Sequence, residues 1–291
     1  EELLQARRLD DWKAANPIAA IRRAGRTFVQ RAPDEVQDLR AAIHSYAPDG
    51  LLVDINCWGG MAAAQASGLP WAAFSPYFLP FQAPGVPPWG LGLKPRRDLL
   101  GKLRDSILWW LVRRLFDSPL PQLNALRRSL GLAPMAHAAD WGYLPPRLLY
   151  YTCEPFEYAR TWPEHVHLVG PGVWEPPTEE PPPSQDTRPL VLVTCSSEFQ
   201  NDGKLIQAAL DGLSNERVRV IATSAAMDPA SFSVPPNAVV HRFVPHGPLL
   251  REAVCVVCHG GMGITQKALS AGVPVCAIPF GRDQMEVAIV S

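Results

Sequence analysis

Residues 253–258, Ala-Val-Cys-Val-Val-Cys, form an unbroken apolar run of strand length. A half-exposed strand alternates apolar and polar side chains. A run without alternation needs cover on both faces, as for a strand inside a parallel sheet layered by helices. The next residues define the unit around it. His259-Gly260-Gly261-Met262-Gly263 reads as a turn, Ile264 to Ala271 as a helix capped by Gly272, and 273–279 (VPVCAIP) as a second buried strand. Both strands of such a unit end on one side of the sheet, where open α/β sheets take ligands. Neighbouring strands lie about 5 Å apart. His259 and Asp283-Gln284 are therefore expected close in space, although 24 positions separate them in sequence.

The same rhythm occurs twice. In the first half, 34–46 has helical spacing, 51–55 (LLVDI) reads as a strand, 61–68 as a small-residue helix, and LPWAAFSP as the next strand. Strands at 147–153 and 165–170 extend that sheet, and 81–97 is a Pro- and Gly-rich loop. In the second half, PLVLVTC, a helix near 202–212, RVRVIAT and AVVHRF precede the opening unit. Between the halves lies PGVWEPPTEEPPPSQDTRP, 171–189. It can continue neither a helix nor a central strand, because proline lacks the N–H and fixes φ. The expected organisation is a domain over 1–171, a Pro-rich extended linker over 172–189, and a domain over 190–291. Each domain is α/β with a parallel sheet, and a cleft between them is the natural ligand site.

Composition removes several function classes. A net charge of -1 on 291 residues argues against a nucleic-acid partner. No apolar stretch reaches the roughly 20 residues of a membrane-spanning helix. Cys255 and Cys258 have CxxC spacing, but no second pair completes a zinc site and a strand turns the two thiols to opposite faces. They read as small buried residues in a reducing, cytoplasmic compartment. Residues 96–117, RRDLLGKLRDSILWWLVRRLFD, form a basic aromatic helix with two readings. It packs on its domain and lines a pocket, which is preferred, or it rests on a membrane surface. The sequence starts without Met and stops within an apolar pattern, so it reads as part of a longer chain.

The turn after the apolar run suggests chemistry. A helix N-terminus offers unpaired N–H groups and partial positive charge, which suit a pyrophosphate. Gly260, Gly261 and Gly263 allow phosphate to approach the backbone, and His259 adds a ring donor. Asp283 and Gln284 offer an acceptor and a donor for sugar hydroxyls. The glycines alone would equally suit a tight connection capped by His259; the Asp-Gln pair at the neighbouring strand end favours a nucleotide-sugar site. The pattern is neither GxGxxG, since Gln266 stands at the last glycine, nor a Walker loop.

HGGMGITQKALSAGVPVCAIPFGRDQ resembles the donor-binding signature of family 1 glycosyltransferases of GT-B fold, and the bacterial enzymes acting on antibiotics and other natural products look nearest. The resemblance implies two Rossmann-like domains facing across a cleft. It further implies transfer of a sugar from a UDP- or TDP-sugar to a small hydrophobic acceptor such as a polyketide, lipid or other natural product. Transfer is expected to be inverting and free of metal or other cofactor; no DxD pair is present. RFVPHGPLL resembles the segment that receives the base, with Phe243 stacking on it and the Val244 backbone bonding its edge. TCSSEFQ resembles the diphosphate loop, with Ser196 and Ser197 as contacts.

Asp54 matches the acid that orients the family's catalytic histidine. That histidine lies on a first strand-helix turn ahead of anything seen here, so no base is assigned, and a capping role for Asp54 is equally open. Ile264 stands where relatives often have Thr or Ser, which leaves Thr265 or the Ile264 amide to meet phosphate. Lys267 takes the place of a ribose-gripping acid of plant members. Trp58, Trp89, Trp109 and Trp110 are candidates for the acceptor pocket. The chain is expected to act as a monomer or homodimer. Two alternatives are a related GT-B enzyme such as a nucleotide-sugar epimerase, and a nucleotide-sugar binding protein without turnover.

Overall fold

A computed structural model describes residues 9–176 and 186–291. The first eight residues of the N-terminal stretch and 177–185 of the Pro-rich segment lie outside the described residues. The chain divides into two compact units, Glu1–Gly170 and Pro171–Ser291.

The first unit begins with α1 (Pro17–Tyr46), followed by β1 (Leu51–Asp54), α2 (Trp58–Ser67) and β2 (Trp71–Ser75). Then come α3 (Leu99–Phe116), α4 (Leu120–Ser129), β3 (Leu148–Tyr150) and β4 (Val166–Leu168). The strands pair in parallel in the order β1-β2-β3-β4. α1 starts 17 residues before the sequence pattern predicts. Asn16 caps it by accepting the Ala19 N–H at 2.9 Å, Pro17 stands in its first turn, and it runs through Pro33. An internal proline removes one helical hydrogen bond. Packing outweighs that loss here, because Val29, Ala32 and Val36 are buried against the unit. α4 has no counterpart among the expected elements.

α2 is rich in Ala and Gly for a steric reason. A Cβ on Gly59 would sit 1.9 Å from the Ala32 carbonyl oxygen, so the two helix backbones nearly touch. The Gly59 N–H also donates to Glu35 Oε2 at 2.9 Å, which gives the start of α2 an acceptor. Beyond β2 the Pro-rich loop is held down by polar bonds. The Leu79 N–H donates to the Tyr150 hydroxyl at 3.0 Å, Arg160 Nη1 to the Phe81 carbonyl at 2.6 Å, and Trp109 Nε1 to the Val86 carbonyl at 3.1 Å. Arg160 and Glu157 are buried together, Nη2 to Oε2 3.5 Å. Burial pushes the Glu157 carboxyl up to about 7, against the pull of Arg160 and neighbouring hydrogen bonds.

The second unit contains β5 (Leu190–Thr194), α5 (Gly203–Leu213), β6 (Arg219–Thr223), β7 (Ala238–His241) and α6 (His246–Leu250). It continues with β8 (Ala253–Cys258), α7 (Met262–Ser270), β9 (Val275–Ala277) and α8 (Gln284–Val290). All five strands are parallel, ordered β7-β6-β5-β8-β9. The chain moves outward from β5 to β7, then resumes on the other side of β5. The β5/β8 junction is thus the point where the strand order reverses, the place where such sheets open a crevice.

Both sheet faces are covered. Leu190 and Leu192 pack with Leu249, Leu250, Val256, Cys258 and Ala268 on one face, while Val191, Val193 and Cys195 pack with Leu205, Ile206 and Leu210 on the other. This two-sided burial is why β5 reads as an unbroken apolar run; β8 is covered toward its carboxyl end, at Val256 and Cys258, while Val254 near its start is 51% exposed. Cys258 lies in the first of these clusters, as a small buried residue.

Gly59→Ala should lower stability by roughly 3 kcal/mol, because backbone must move to admit the methyl. Gly212→Ala, where nothing lies within 4 Å of the new Cβ, should be neutral or stabilising; denaturant melts compare the two. A second prediction concerns pH. Burial holds the Glu157 carboxyl at about 7 in the fold, above the ordinary glutamate range, so the folded state holds the extra proton in the window between. Its contribution to stability is therefore present at low pH and lost as pH rises toward and through 7. Relative to wild type, the melting temperature of Glu157→Gln should rise between pH 5 and pH 8; a constant difference would refute the linkage.

Candidate functional site

Three strand ends lie side by side at the carboxyl edge of the second sheet. Thr194 of β5 pairs with Cys258 of β8, and Cys258 with Ala277 of β9. The loops at 195–202, 259–261 and 278–283 are thereby neighbours. α7 starts from the middle one. Gly261 is its N-cap in extended backbone, no side chain caps it, and the first intrahelical bond is Thr265 N–H to the Gly261 carbonyl at 3.1 Å. The amides of Met262, Gly263 and Ile264 are thus left without intrahelical acceptors.

His259 covers this end. Its Nε2 would lie 2.3 Å from a Cβ on Gly261, so the ring occupies space that only glycine leaves free. The residue is 8% exposed, and Nδ1 is buried without a hydrogen-bond partner. Burial lowers its basicity below the ordinary histidine value; Asp202 opposes the shift and Arg282 adds to it. A neutral imidazole beside three open amides can donate one more hydrogen bond to an anion. Gly260 is needed for a different reason. Its φ is +80°, and a Cβ there would lie 3.2 Å from the Gln284 carbonyl oxygen.

The flanking loops are clasped to each other. Gln284 Nε2 donates to Gln200 Oε1 at 2.9 Å, and Gln200 Nε2 donates to Ser196 Oγ at 2.6 Å. Since β8 lies between β5 and β9, this chain spans the end of β8. Arg282 Nη1 to Glu198 Oε2, 3.0 Å, makes a second link. The Ser196 N–H donates to the buried Asp202 carboxylate at 2.7 Å.

Several expected contacts are placed differently from their sequence reading. Gln284 is buried, and its Oε1 accepts the N–H groups of Phe280 (2.7 Å) and Gly281 (3.2 Å), so its amide is used in shaping the loop. Thr265 is fully buried with its hydroxyl 3.9 Å from Cys258 Sγ, and Ile264 packs on the apolar core. Of these two, only the Ile264 amide faces the open helix end. Ser196 is buried while Ser197 is exposed, and Asp283 is partly exposed as the N-cap of α8.

Phe243 is 61% exposed just beyond β7, and Val244 packs on the core. From there α6 returns across the strand ends. His246 Nε2 lies 3.2 Å from Thr223 Oγ1, which donates to Thr194 Oγ1 at 2.8 Å. Burial lowers the His246 imidazole as well.

Lys267 is occupied by an acid that composition did not reveal. Its Nζ is 3.0 Å from Glu175 Oε1, which also accepts the His246 N–H, while Glu175 Oε2 accepts the Gly247 N–H at 2.9 Å. Gln200 and Asp202 also escaped the sequence reading; an acid just ahead of α5 was the only available signal.

In the first unit, Asp54 ends β1, half-buried, with Oδ1 accepting the Asn56 N–H at 2.8 Å. Burial raises its carboxyl above the usual range, while the Asn56 amide, Arg31 and the Tyr77 hydroxyl hold it down. This geometry closes a turn. Trp58 packs at a tilt against Phe28 and Trp141 in the core, and Trp109 is buried too; Trp110 is exposed.

Residues 207–289 match the family model described as erythromycin biosynthesis protein CIII-like, C-terminal domain. Over 275 residues the chain is 32% identical to 4'-demethylrebeccamycin synthase of Lentzea aerocolonigenes, covering 90% of this chain and 64% of that protein. The chain thus spans less than two thirds of that relative's length. Among solved structures, the glycotransferase of kitacinnamycin superposes with a TM-score of 0.70 at 21% identity, over 95% of this chain and 68% of that one. The Streptomyces sp. SF2575 glycosyltransferase SsfS6, complexed with thymidine diphosphate, gives 0.58 at 19%, over 95% and 64%. The two parallel-sheet α/β units thus share the GT-B fold of these glycosyltransferase structures, and residues 207–289 match the erythromycin biosynthesis protein CIII-like C-terminal domain.

Proposed function

We propose that this chain supplies most of an enzyme that moves a sugar from a uridine or thymidine diphosphate sugar to a hydroxyl of a small hydrophobic acceptor. The acceptor class is a polyketide, lipid or other natural product, and the enzyme works in the cytoplasm as a monomer or homodimer. The observation that carries this reading is the uncapped start of α7, with three amides lacking helical acceptors and Nε2 of the His259 ring against Gly261 beside them. A diphosphate answers the open amides and gives the ring an acceptor.

In this reaction the acceptor oxygen attacks the anomeric carbon as its proton passes to a base, and the bond from that carbon to the diphosphate oxygen breaks. The electron pair leaves with the diphosphate. Attack opposite the leaving group inverts the centre. The α7 amides and His259 stabilise the growing charge through oriented dipoles, a role that needs no metal ion. Phe243, exposed near the strand ends, offers a face for the base. Ser197 and Asp283 are the polar side chains still open to solvent beside the loops.

Calorimetry with uridine and thymidine diphosphates tests the site. His259→Ala should weaken binding by about 1.5–3 kcal/mol, as for a hydrogen bond to a charged acceptor; unchanged affinity would remove the phosphate assignment. Gly261→Ala should weaken it too, since the new methyl displaces the ring from 2.3 Å. Turnover is tested by acceptor-dependent consumption of each nucleotide sugar, with product anomeric configuration read by proton coupling. Binding without consumption would favour a non-catalytic role.

A further inference from the structure

We infer that the outward face of α3 is a docking surface for an anionic lipid membrane. This helix carries apolar side chains on its outward side as well as its inward one. Its inward side carries Gly101, Asp105, Trp109 and Val112, all buried, and Trp109 is anchored by its bond to the Val86 carbonyl. Its outward side carries Leu99, Leu100, Leu103, Ile107, Trp110 and Leu111. Leu103, Ile107 and Trp110 are 60%, 57% and 62% exposed. A run of large apolar side chains along one exposed face marks an interaction site, whereas isolated ones do not.

Charge selects the occupant. Residues 96–117 hold six cations and three acids, six minus three or +3, in a chain of net -1; Arg96, Arg104 and Arg113 pair with Asp98, Asp105 and Asp140, which leaves Arg97, Lys102 and Arg114 outside these pairs. The Arg114 guanidinium lies over the Trp110 ring, 5.5 Å from its centroid. Beside it a recess of about 220 Å³ is lined by Trp110, Arg113, Arg114 and His137. Apolar side chains edged by cations suit a helix lying in the plane of an anionic leaflet, phosphates above and acyl chains below. Among the described residues no helix is long and apolar enough to cross a membrane, so the contact is interfacial. A second copy fits less well, because an isologous contact would set these cations against themselves. A small acceptor fits less well too, since an 18-residue helix is about 27 Å long.

Vesicle co-sedimentation of the 291-residue chain tests the surface. Binding is expected to equal mixtures of phosphatidylglycerol and phosphatidylcholine, to fall with added salt, and to be far weaker on phosphatidylcholine alone. Leu103→Glu/Ile107→Glu should weaken it by roughly thirtyfold or more, with circular dichroism and thymidine diphosphate binding unchanged. Lys102→Ala should weaken it about fivefold. Absent vesicle binding, or binding indifferent to the double variant, overturns the inference. So does a dimer that the double variant dissolves without vesicle binding, which would assign the face to self-association. A raised acceptor KM in that variant without vesicle binding would assign it to the acceptor, and is equally fatal.

Discussion

Three amide groups at the start of α7 have no partner within their own helix, and the carboxyl edge of the second sheet is organised around that lack. A protein can satisfy such groups with a side-chain cap, and Ser, Thr, Asp or Asn there is worth about 1 kcal/mol. This sequence declines that gain, placing Gly261 at the cap. The nearby acid is also diverted: the Asp202 carboxylate accepts from the Ser196 amide. The result is a helix end carrying roughly half a positive charge, beside an imidazole that burial keeps neutral. Neither feature stabilises the protein alone. In the proposed function both become favourable when a diphosphate binds.

Holding that end open requires stiff surroundings. Asn201 and Arg282, neither of them glycine, adopt positive φ of 57° in the loops on either side. Such backbone costs on the order of 1 kcal/mol or more per residue and persists only when its surroundings enforce it. The enforcement is visible in the Ser196–Gln200–Gln284 chain, which crosses the end of β8, and in the Arg282–Glu198 pair. The exposed ion pair contributes little by itself. The buried amides matter more, because a lost partner would strand polar groups away from water. Gln284 therefore acts on the loop: it fixes the 280–281 backbone and sets its own carbonyl over Gly260.

What could be read in sequence follows from how far each signal extends. Unbroken apolar runs located β5 and β8, and glycine spacing located the turn before α7, because period and turn chemistry are local. The helix over 17–33 was lost because Pro33 and Gly25 imitate a boundary; the contact between Gly59 and Ala32 that overrides them joins residues 27 apart in sequence. The sites of His259 and the α7 amides were legible as a motif. Which way Ile264, Thr265 and Gln284 point was not, since helix phase decides it and the decisive partners, Cys258 and Gln200, lie on other elements.

Glu175 shows the same limit in reverse. Composition marks 171–189 as a connector, and proline content hides a residue there with a structural task. Its carboxylate accepts two α6 amides and pairs with Lys267. The ion pair alone, partly solvated, would be worth under about 1 kcal/mol. The two backbone bonds change the balance, because α6 has only five residues and no cap of its own, and such a helix is not stable on its own. Glu175 supplies the missing acceptors and ties the start of the Pro-rich segment to the unit that follows. Lys267 neutralises that carboxylate and keeps it ionised, its carboxyl held below the usual range despite partial burial. The pair joins residues 92 positions apart in sequence, which no local pattern could have shown.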